Sequence, residues 1–370
     1  MKIVELITYL GSGGAERFTV DLSNELANEN EVFVVTLLDD KKDSKHRNFY
    51  KPDICDNVHY LNIGLPNGLK LSSQWKVYKT LKKLNPDVIQ VHLPPTLNYS
   101  ALAIGLLAFS KTVVFSVHSD LRNGHDCGIL KLYCNTLGRI GRFKVSCLSE
   151  KNYSDFISYY KHTPIRCITN GRAPIVATSK FNAVKEELNS IKTDESSLML
   201  MHIARCHPVK NQSLLIEAVN DLVSEGYNIN LAIIGNGYDS KEGKALQEKA
   251  NKCIHFLGSR KNISDYIMNA DLFCLSSDYE GMPITLIEAS LAGVPAVSTP
   301  VCGAVDLIKD GKNGILSKSH SLEDYKVALK KAIKSIETIK ENAMNMRCNS
   351  PYTIEACAMK YMDYFRANKN

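Results

Sequence analysis

No apolar stretch in the sequence reaches the roughly 18 residues that a membrane-spanning helix needs, so no such helix is expected. The eleven cysteines include no C-x-x-C pair, and an odd, scattered set reads as free thiols in a reducing compartment. No concentrated arginine run or basic tract studded with aromatics occurs, which argues against a nucleic-acid partner. Internal repeats and low-complexity tracts are also missing, and the first apolar run carries Glu5 and ends in a glycine turn, which fits a strand better than a signal peptide. A cytoplasmic protein is expected. The chain has 370 residues, 44% of them hydrophobic and 23% charged, with a formal net charge of +6. That length exceeds the size at which one core usually stops growing, so two domains are expected, and the positive balance suits anionic ligands.

Short apolar runs alternate with amphipathic segments. "KIVELIT", "EVFVVTLL", "DVIQVH", "TVVFSVH", "KVSCLS" and, more weakly, "PIRCIT" read as one set of buried strands. "LMLMHIA", "NINLAIIG", "CIHFLG", "DLFCLSS" and "PAVSTP" form a second set. Helical patterns between them specify an α/β fold of two doubly wound, Rossmann-like domains. The expected division is residues 1–172 for the first domain, 173–197 for a polar linker, 198–350 for the second domain, and 351–370 for a terminal docking helix.

Ligands of such sheets bind beyond the carboxyl ends of the strands. After the first strand, Gly11, Gly13 and Gly14 would let a phosphate or sugar approach backbone N–H groups at a helix start. Gly11 and Gly13 match part of a dinucleotide fingerprint, with Glu16 at the third glycine position and Asp39 or Asp40 as a ribose-binding acid, so an NAD(P)-dependent oxidoreductase stays open. A tight turn with no ligand is the plainer alternative. His92 and His118 each follow a strand; His92 fits a structural hydrogen bond, and His118 is the stronger candidate to reach a bound hydroxyl.

In the second half, Arg205 and Lys210 follow a strand in "ARCHPVKN", and two cations there suit a diphosphate, the alternative being solvated surface charges. Gly235 and Gly237 make a further turn that a nucleotide could approach. In "SSDYEGMPITLIEAS", a helix from about Pro283 through Ala292 leaves Glu280 in the preceding loop and Glu288 more than a turn inside. The amides around Met282 to Thr285 then open an anion site between two carboxylates able to accept hydrogen bonds from vicinal hydroxyls.

These residues resemble the retaining glycosyltransferases of family 4, which have the GT-B architecture. The resemblance runs through "GGAER", "VHSD", "ITNG", "ARCHPVKN", "IIGNG", the long block ending in "EGMPITLIEASLAGVPAVST" with its E-x7-E spacing, and "DGKNGIL". It implies a nucleotide-diphosphate sugar, with UDP the expected nucleotide, as donor and co-substrate, and no other cofactor. It also implies that the terminal helix returns to the first domain. By the same resemblance Arg205 and Lys210 contact the diphosphate, Glu280 the transferred sugar and Glu288 the ribose. Gly281, Met282, Pro283, Ile284 and Thr285 line the sugar and phosphate, with Gly235, Gly237 and Asn170 also on the donor. His118 approaches the sugar, and Gly13 and Gly14 close over the phosphates. Retention and metal independence are further implications, and the sequence has no D-x-D triplet. The expected reaction is hexose or N-acetylhexosamine transfer to a glycan or lipid-linked acceptor in surface polysaccharide synthesis; a non-catalytic sugar-nucleotide binder is the competing reading. Three departures from the family pattern stand out: Ala204 before the arginine, "GMPIT" between the glutamates, and "VCGAVDLI" without a double glycine. Residues 69–84, with Leu71, Trp75, Tyr78 and Leu81 on one expected face among lysines, read either as a helix packed on its sheet or as a peripheral membrane contact.

Overall fold

The computed structural model describes residues 1–41, 43–118 and 128–369. The chain divides into two compact units, Met1–Ala173 together with Pro351–Asn370, and Pro174–Ser350.

The first unit is a seven-stranded parallel sheet in the order β3-β2-β1-β4-β5-β6-β7. Its strands are β1 (Lys2–Ile7), β2 (Glu31–Leu38), β3 (Val58–Leu65), β4 (Val88–His92), β5 (Thr112–Val117), β6 (Lys144–Cys147) and β7 (Ile165–Cys167). Strands β4 and β5 are buried at every position, as expected where helices cover both faces. The order reverses between β1 and β4, which makes that boundary the topological switch point.

The second unit is a six-stranded parallel sheet, β10-β9-β8-β11-β12-β13. It is built from β8 (Leu198–Ile203), β9 (Ile229–Ile234), β10 (Ile254–Gly258), β11 (Leu272–Leu275), β12 (Ala296–Ser298) and β13 (Gly314–Leu316). Here the order reverses between β8 and β11.

Two strands escape the sequence patterns. β3 is an edge strand, buried only at Val58, Ile63 and Leu65 and interrupted by Asn62 and Gly64, while β13 spans three residues only. The stretch 173–197, expected as a linker, instead packs on the second unit. It forms the helix Phe181–Ser190, buries Val184 and Leu188, and anchors Thr178 to the Asp265 carboxylate through N–H (2.8 Å) and Oγ1 (2.5 Å). Glu187 accepts from Tyr266 Oη (2.5 Å) and pairs with Arg260 (2.9 Å). Polar composition there reflects one exposed helix face rather than a free connection.

The terminal helix Ile354–Ala367 lies in the first unit. Its Tyr361 and Phe365 are fully buried, Tyr361 Oη lies 3.2 Å from Ser146 Oγ, and Tyr364 Oη donates to the Val145 carbonyl at 3.1 Å.

The helix Leu71–Leu84 divides the face expected for residues 69–84. Ser73, Val77 and Leu81, an i,i+4 stripe, are buried, whereas Leu71 and Trp75 face outward. Trp75 stacks on Tyr78 with ring centroids 5.0 Å apart. Among the described residues no helix is long and apolar enough to cross a membrane.

Candidate active site

In the second unit, the loop that follows β8 and the loop that follows β11 meet at the switch point. Pro208–Lys210 forms one 3-10 turn, and Asn211, in the left-handed region, caps the helix Gln212–Ser224 with its side chain. Three hydrogen bonds tie this turn to residues 276–278, and a fourth holds the same segment from Thr299. Ser276 Oγ donates to the Lys210 carbonyl (2.9 Å), and Asp278 N–H to the Val209 carbonyl (2.9 Å). Asn211 Nδ2 donates to Asp278 Oδ1 (2.8 Å), and Thr299 Oγ1 to the Ser277 carbonyl (2.6 Å).

On that scaffold Lys210 Nζ donates to Glu280 Oε1 at 2.6 Å, and Ser277 Oγ donates to the same oxygen at 2.7 Å. Both charged side chains are mostly sheltered, 22% and 13% exposed, so water screens the pair less than an open surface pair. Arg205, in the same loop, is exposed, and its guanidinium has no hydrogen-bond or ion-pair partner among the described residues. The cation is therefore available for an anionic ligand.

The helix Ile284–Ala292 starts one residue later than expected. Pro283 is its N-cap, with its carbonyl accepting from Leu286 (3.1 Å) and Ile287 (3.2 Å). Ile284 and Thr285 thus occupy the first turn, where N–H groups find no intrahelical acceptor and the helix dipole favours an anion. Glu288 sits on the next turn, only 7% exposed. Gly303 explains how "VCGAVDLI" works with one glycine. It holds φ 73°, and a Cβ there would lie 2.7 Å from Met282 Sδ and 2.9 Å from the Gly281 carbonyl, so this loop closes directly on the "GMPIT" stretch.

Gly235 is under a similar constraint. A Cβ on it would fall 2.0 Å from the Ala204 carbonyl oxygen, so the turn after β9 lies flush against the backbone that carries Arg205. Cys206 N–H donates to the Asn236 carbonyl at 2.8 Å, and Gly237 follows with positive φ. Gly235→Ala should push these two loops apart and lower the thermal midpoint by several degrees, a cost of about 2–3 kcal/mol in the range of core overpacking. A melting curve coincident with the parent would contradict this contact.

Sequence reasoning passes over His202, a polar residue inside the otherwise apolar β8. It is fully buried, its Nδ1 lies 2.9 Å from the Cys274 carbonyl and its Nε2 has no partner. Burial holds its pKa down to about 4, so a neutral ring with Nδ1–H donating lies beside Lys210 and Glu280. The only sequence signal is a histidine facing the core of "LMLMHIA".

The first unit contains a second polar cluster at its own switch point. Glu5 on β1 and His92 on β4 are both fully buried, with His92 Nε2 2.5 Å from Glu5 Oε2. His92 Nδ1 lies 2.9 Å from Nε2 of the half-buried His118. The two histidines, expected in separate roles, are joined. Ser119 and Asp120 of "VHSD" lie outside the described residues. Burial pushes the Glu5 carboxyl well up, pulls His92 down to about 3, and lowers His118 with help from its neighbour. Glu5 was the other residue missed, an acid in the middle of "KIVELIT".

Gly13 caps the helix Gly14–Leu26, and Glu16 folds back over it: a Cβ on Gly13 would meet Glu16 Oε2 at 2.2 Å. Glu16 stands at the third helical position, where a capping-box acid belongs. A carboxylate therefore lies over the Gly13 backbone, and a phosphate approaching Gly13 from that side must displace it. Asn170, also in the first unit, is 2% exposed with an unpartnered Oδ1.

Comparison with known proteins follows the same division. The family described as Glycosyltransferase Family 4 matches residues 12–173, and that described as Glycosyl transferases group 1 matches residues 184–350. A Campylobacter jejuni protein, GalNAc-alpha-(1->4)-GalNAc-alpha-(1->3)-diNAcBac-PP-undecaprenol alpha-1,4-N-acetyl-D-galactosaminyltransferase, is 25% identical over 321 residues, 85% of this chain and 84% of its own length. An Escherichia coli protein, UDP-Gal:alpha-D-GlcNAc-diphosphoundecaprenol alpha-1,3-galactosyltransferase, is 26% identical over 326 residues, 81% of this chain and 80% of its own. The crystal structure of Anabaena HepE in complex with UDP and glucose superposes with a TM-score of 0.79 at 19% identity, covering 99% of this chain and 100% of that one. With one family matching each unit and the same fold throughout, the chain belongs to the GT-B glycosyltransferases of the family 4 type.

Proposed function

We propose that the protein transfers a hexose or N-acetylhexosamine from a UDP-sugar to a lipid-linked or glycan acceptor in surface polysaccharide synthesis, with retention at the anomeric carbon and without a divalent metal. The observation that carries this reading is the Lys210–Glu280 pair, with Arg205 of the same loop unpartnered among the described residues, and a helix start with open N–H groups. Two cations and a helix dipole match the charge of a diphosphate leaving group. As the glycosidic bond breaks, that charge grows, and stabilising it in a sheltered site lowers the barrier. The departing phosphate oxygen then accepts the proton of the acceptor hydroxyl as the new bond forms on the same face. No protein base is required by this scheme. The two curated relatives named above, whose names specify undecaprenol-linked substrates, support the acceptor class.

Glu280 and Glu288 have separate tasks in this reading. Glu280, in the loop and held by Lys210, orients the transferred sugar; Glu288, on the helix and sheltered, accepts from the ribose hydroxyls. Glu288→Ala should weaken UDP binding by about 10- to 100-fold, the worth of hydrogen bonds to a charged acceptor. Glu280→Ala should leave UDP affinity within a few-fold and depress turnover. Calorimetry with UDP and a radiolabelled transfer assay separate the two, and full activity in both variants refutes the assignment. The anomeric configuration of the first product, read by proton NMR, tests retention; dialysis against chelator with unchanged rate tests metal independence.

A cytoplasmic location at the membrane face follows from such an acceptor. Leu69, Leu71 and Trp75, exposed by 61%, 78% and 45% with Lys70 and Lys79 alongside, would supply the contact. Flotation with anionic and neutral liposomes at low salt decides it, no binding to either ending the idea.

A further inference from the structure

A fully buried carboxyl on a central strand is costly, and an aliphatic side chain at position 5 would serve the sheet better. Among the described residues Glu5 is joined to no lysine or arginine. Only its Oε2 has a partner, the His92 ring, while Oε1 is buried with none. The side chains of Glu5, His92 and His118 span three adjacent strands of the sheet and touch in sequence, Oε2 to Nε2 at 2.5 Å and Nδ1 to Nε2 at 2.9 Å. Phe18 closes the chain from the side, with its ring 6.2 Å from His92 and 5.6 Å from His118 in edge geometry. Among the described residues, Tyr361, 6.2 Å from Phe18, and the thiol of Cys357 are the other titratable groups facing this core.

Such a chain has one proton per contact, so its members must carry their protons in register. If Glu5 were ionised it would accept from His92 Nε2–H, His92 Nδ1 would accept from His118 Nε2–H, and His118 Nδ1 would be a bare acceptor. If Glu5 is the neutral acid every sense reverses. Its hydroxyl donates to His92 Nε2, His92 Nδ1–H donates to His118 Nε2, and His118 keeps its proton on Nδ1. The isolation of the carboxyl favours the second arrangement, since an anion with one oxygen unpartnered and no counter-charge is the more expensive state. Burial raises the Glu5 pKa in the same direction.

We infer that Glu5 and His92 are positioning residues that fix His118 as a neutral Nδ1–H donor for a ligand oxygen beyond the carboxyl end of the first sheet. Free imidazole side chains prefer the proton on Nε2, so the relay holds His118 in its minority tautomer and supplies a hydrogen-bond donor without adding a charge to compete with the diphosphate site. The use of that donor on a substrate rests on the proposed glycosyl transfer; the tautomer itself does not.

The test is histidine-selective 15N NMR on the whole chain, with the His118 signals assigned by their loss in His118→Asn. The expected result is a pyrrole-type Nδ1 and a pyridine-type Nε2 in the unmodified protein. Glu5→Gln should retain that pattern, because its amide N–H can donate to His92 Nε2 as the acid does. Glu5→Leu and His92→Phe should release it, moving the proton to Nε2. Glu5→Leu replaces a buried acid by an aliphatic group, so it tests the relay even if His92→Phe folds poorly. A wild-type His118 protonated on Nε2, or a pattern that neither Glu5→Leu nor His92→Phe changes, overturns the inference. In parallel, kcat/KM for UDP-sugar should fall about tenfold in His92→Phe, the loss of one hydrogen bond. The expected tautomer shift with an unchanged kcat/KM would uphold the relay and reject the use of His118 on the substrate.

Discussion

Lys210→Ala is expected to lower the transfer rate by about 10²–10³-fold, the range for removing one preorganised donor from a developing oxyanion. The fold around the residue should survive, because the turn is held by its backbone and by neighbours. The Lys210 carbonyl accepts from Ser276 Oγ, the Val209 carbonyl accepts from Asp278, and Asn211 reaches Asp278 through its side chain. None of these bonds uses the ammonium group. What disappears is a cation for the diphosphate and, at once, the partner that holds Glu280 in place. The two effects share one contact, so they should not add. In a double-mutant cycle the Lys210→Ala, Glu280→Gln protein should be far less impaired than the product of the single losses. Steady-state kinetics with melting curves as a control read both outcomes. A Lys210→Ala enzyme within threefold of the parent would remove the residue from the active site.

The second large effect concerns stability. A chain ended after Ser350 lacks Tyr361, Met362, Tyr364 and Phe365, all buried in the first unit, together with Ile354 and Cys357. It also loses the Tyr364 hydrogen bond to Val145, the Thr112 bond to the Asn368 carbonyl, and the exchange of bonds between Arg172 and residues 352–354. Each large apolar side chain contributes about 1.5–3 kcal/mol on burial, and a domain's whole stability is about 5–15 kcal/mol. Losing several together should leave the first unit unfolded. Limited proteolysis of the shortened chain should digest residues 1–173 and spare a fragment near Pro174–Ser350, which has its own sheet and core. Two resistant fragments of the original sizes would show that the terminal helix contributes little.

The fold was legible in the sequence because parallel strands buried on both faces read as uninterrupted apolar runs, and eleven of them stood out. β3 did not, since an edge strand with Asn62 and Gly64 breaks the pattern, and β13 was too short to register. The packing of 174–197 was hidden because its anchors, Asp265, Arg260 and Tyr266, lie far along the chain. At the site, the roles suggested for Glu280 and Lys210 came with a spacing, but their direct contact could not be read from a separation of 70 residues. Glu5 and His202 were invisible for the opposite reason. Each interrupts a strand whose other interior residues are apolar, and in a sequence such an interruption looks like noise until the neighbouring strands supply its partner.

The chain leaves the first unit after Ala173 and returns to it at Pro351, so the second unit is an insertion within the first. This order has a consequence during synthesis. The ribosome delivers every strand of the first sheet before the inserted unit, yet the helix that covers Ser116 and Ser146 with Tyr361 emerges only after it. At about 5–20 residues per second, translation of the inserted unit leaves that sheet incomplete for roughly ten to forty seconds. The inserted unit, contiguous in sequence, can fold as soon as it clears the exit tunnel, so the half of the enzyme encoded first is the half finished last. Nascent chains of this protein should therefore expose an uncovered apolar surface for most of their time on the ribosome, and that interval is when chaperones have the most to bind.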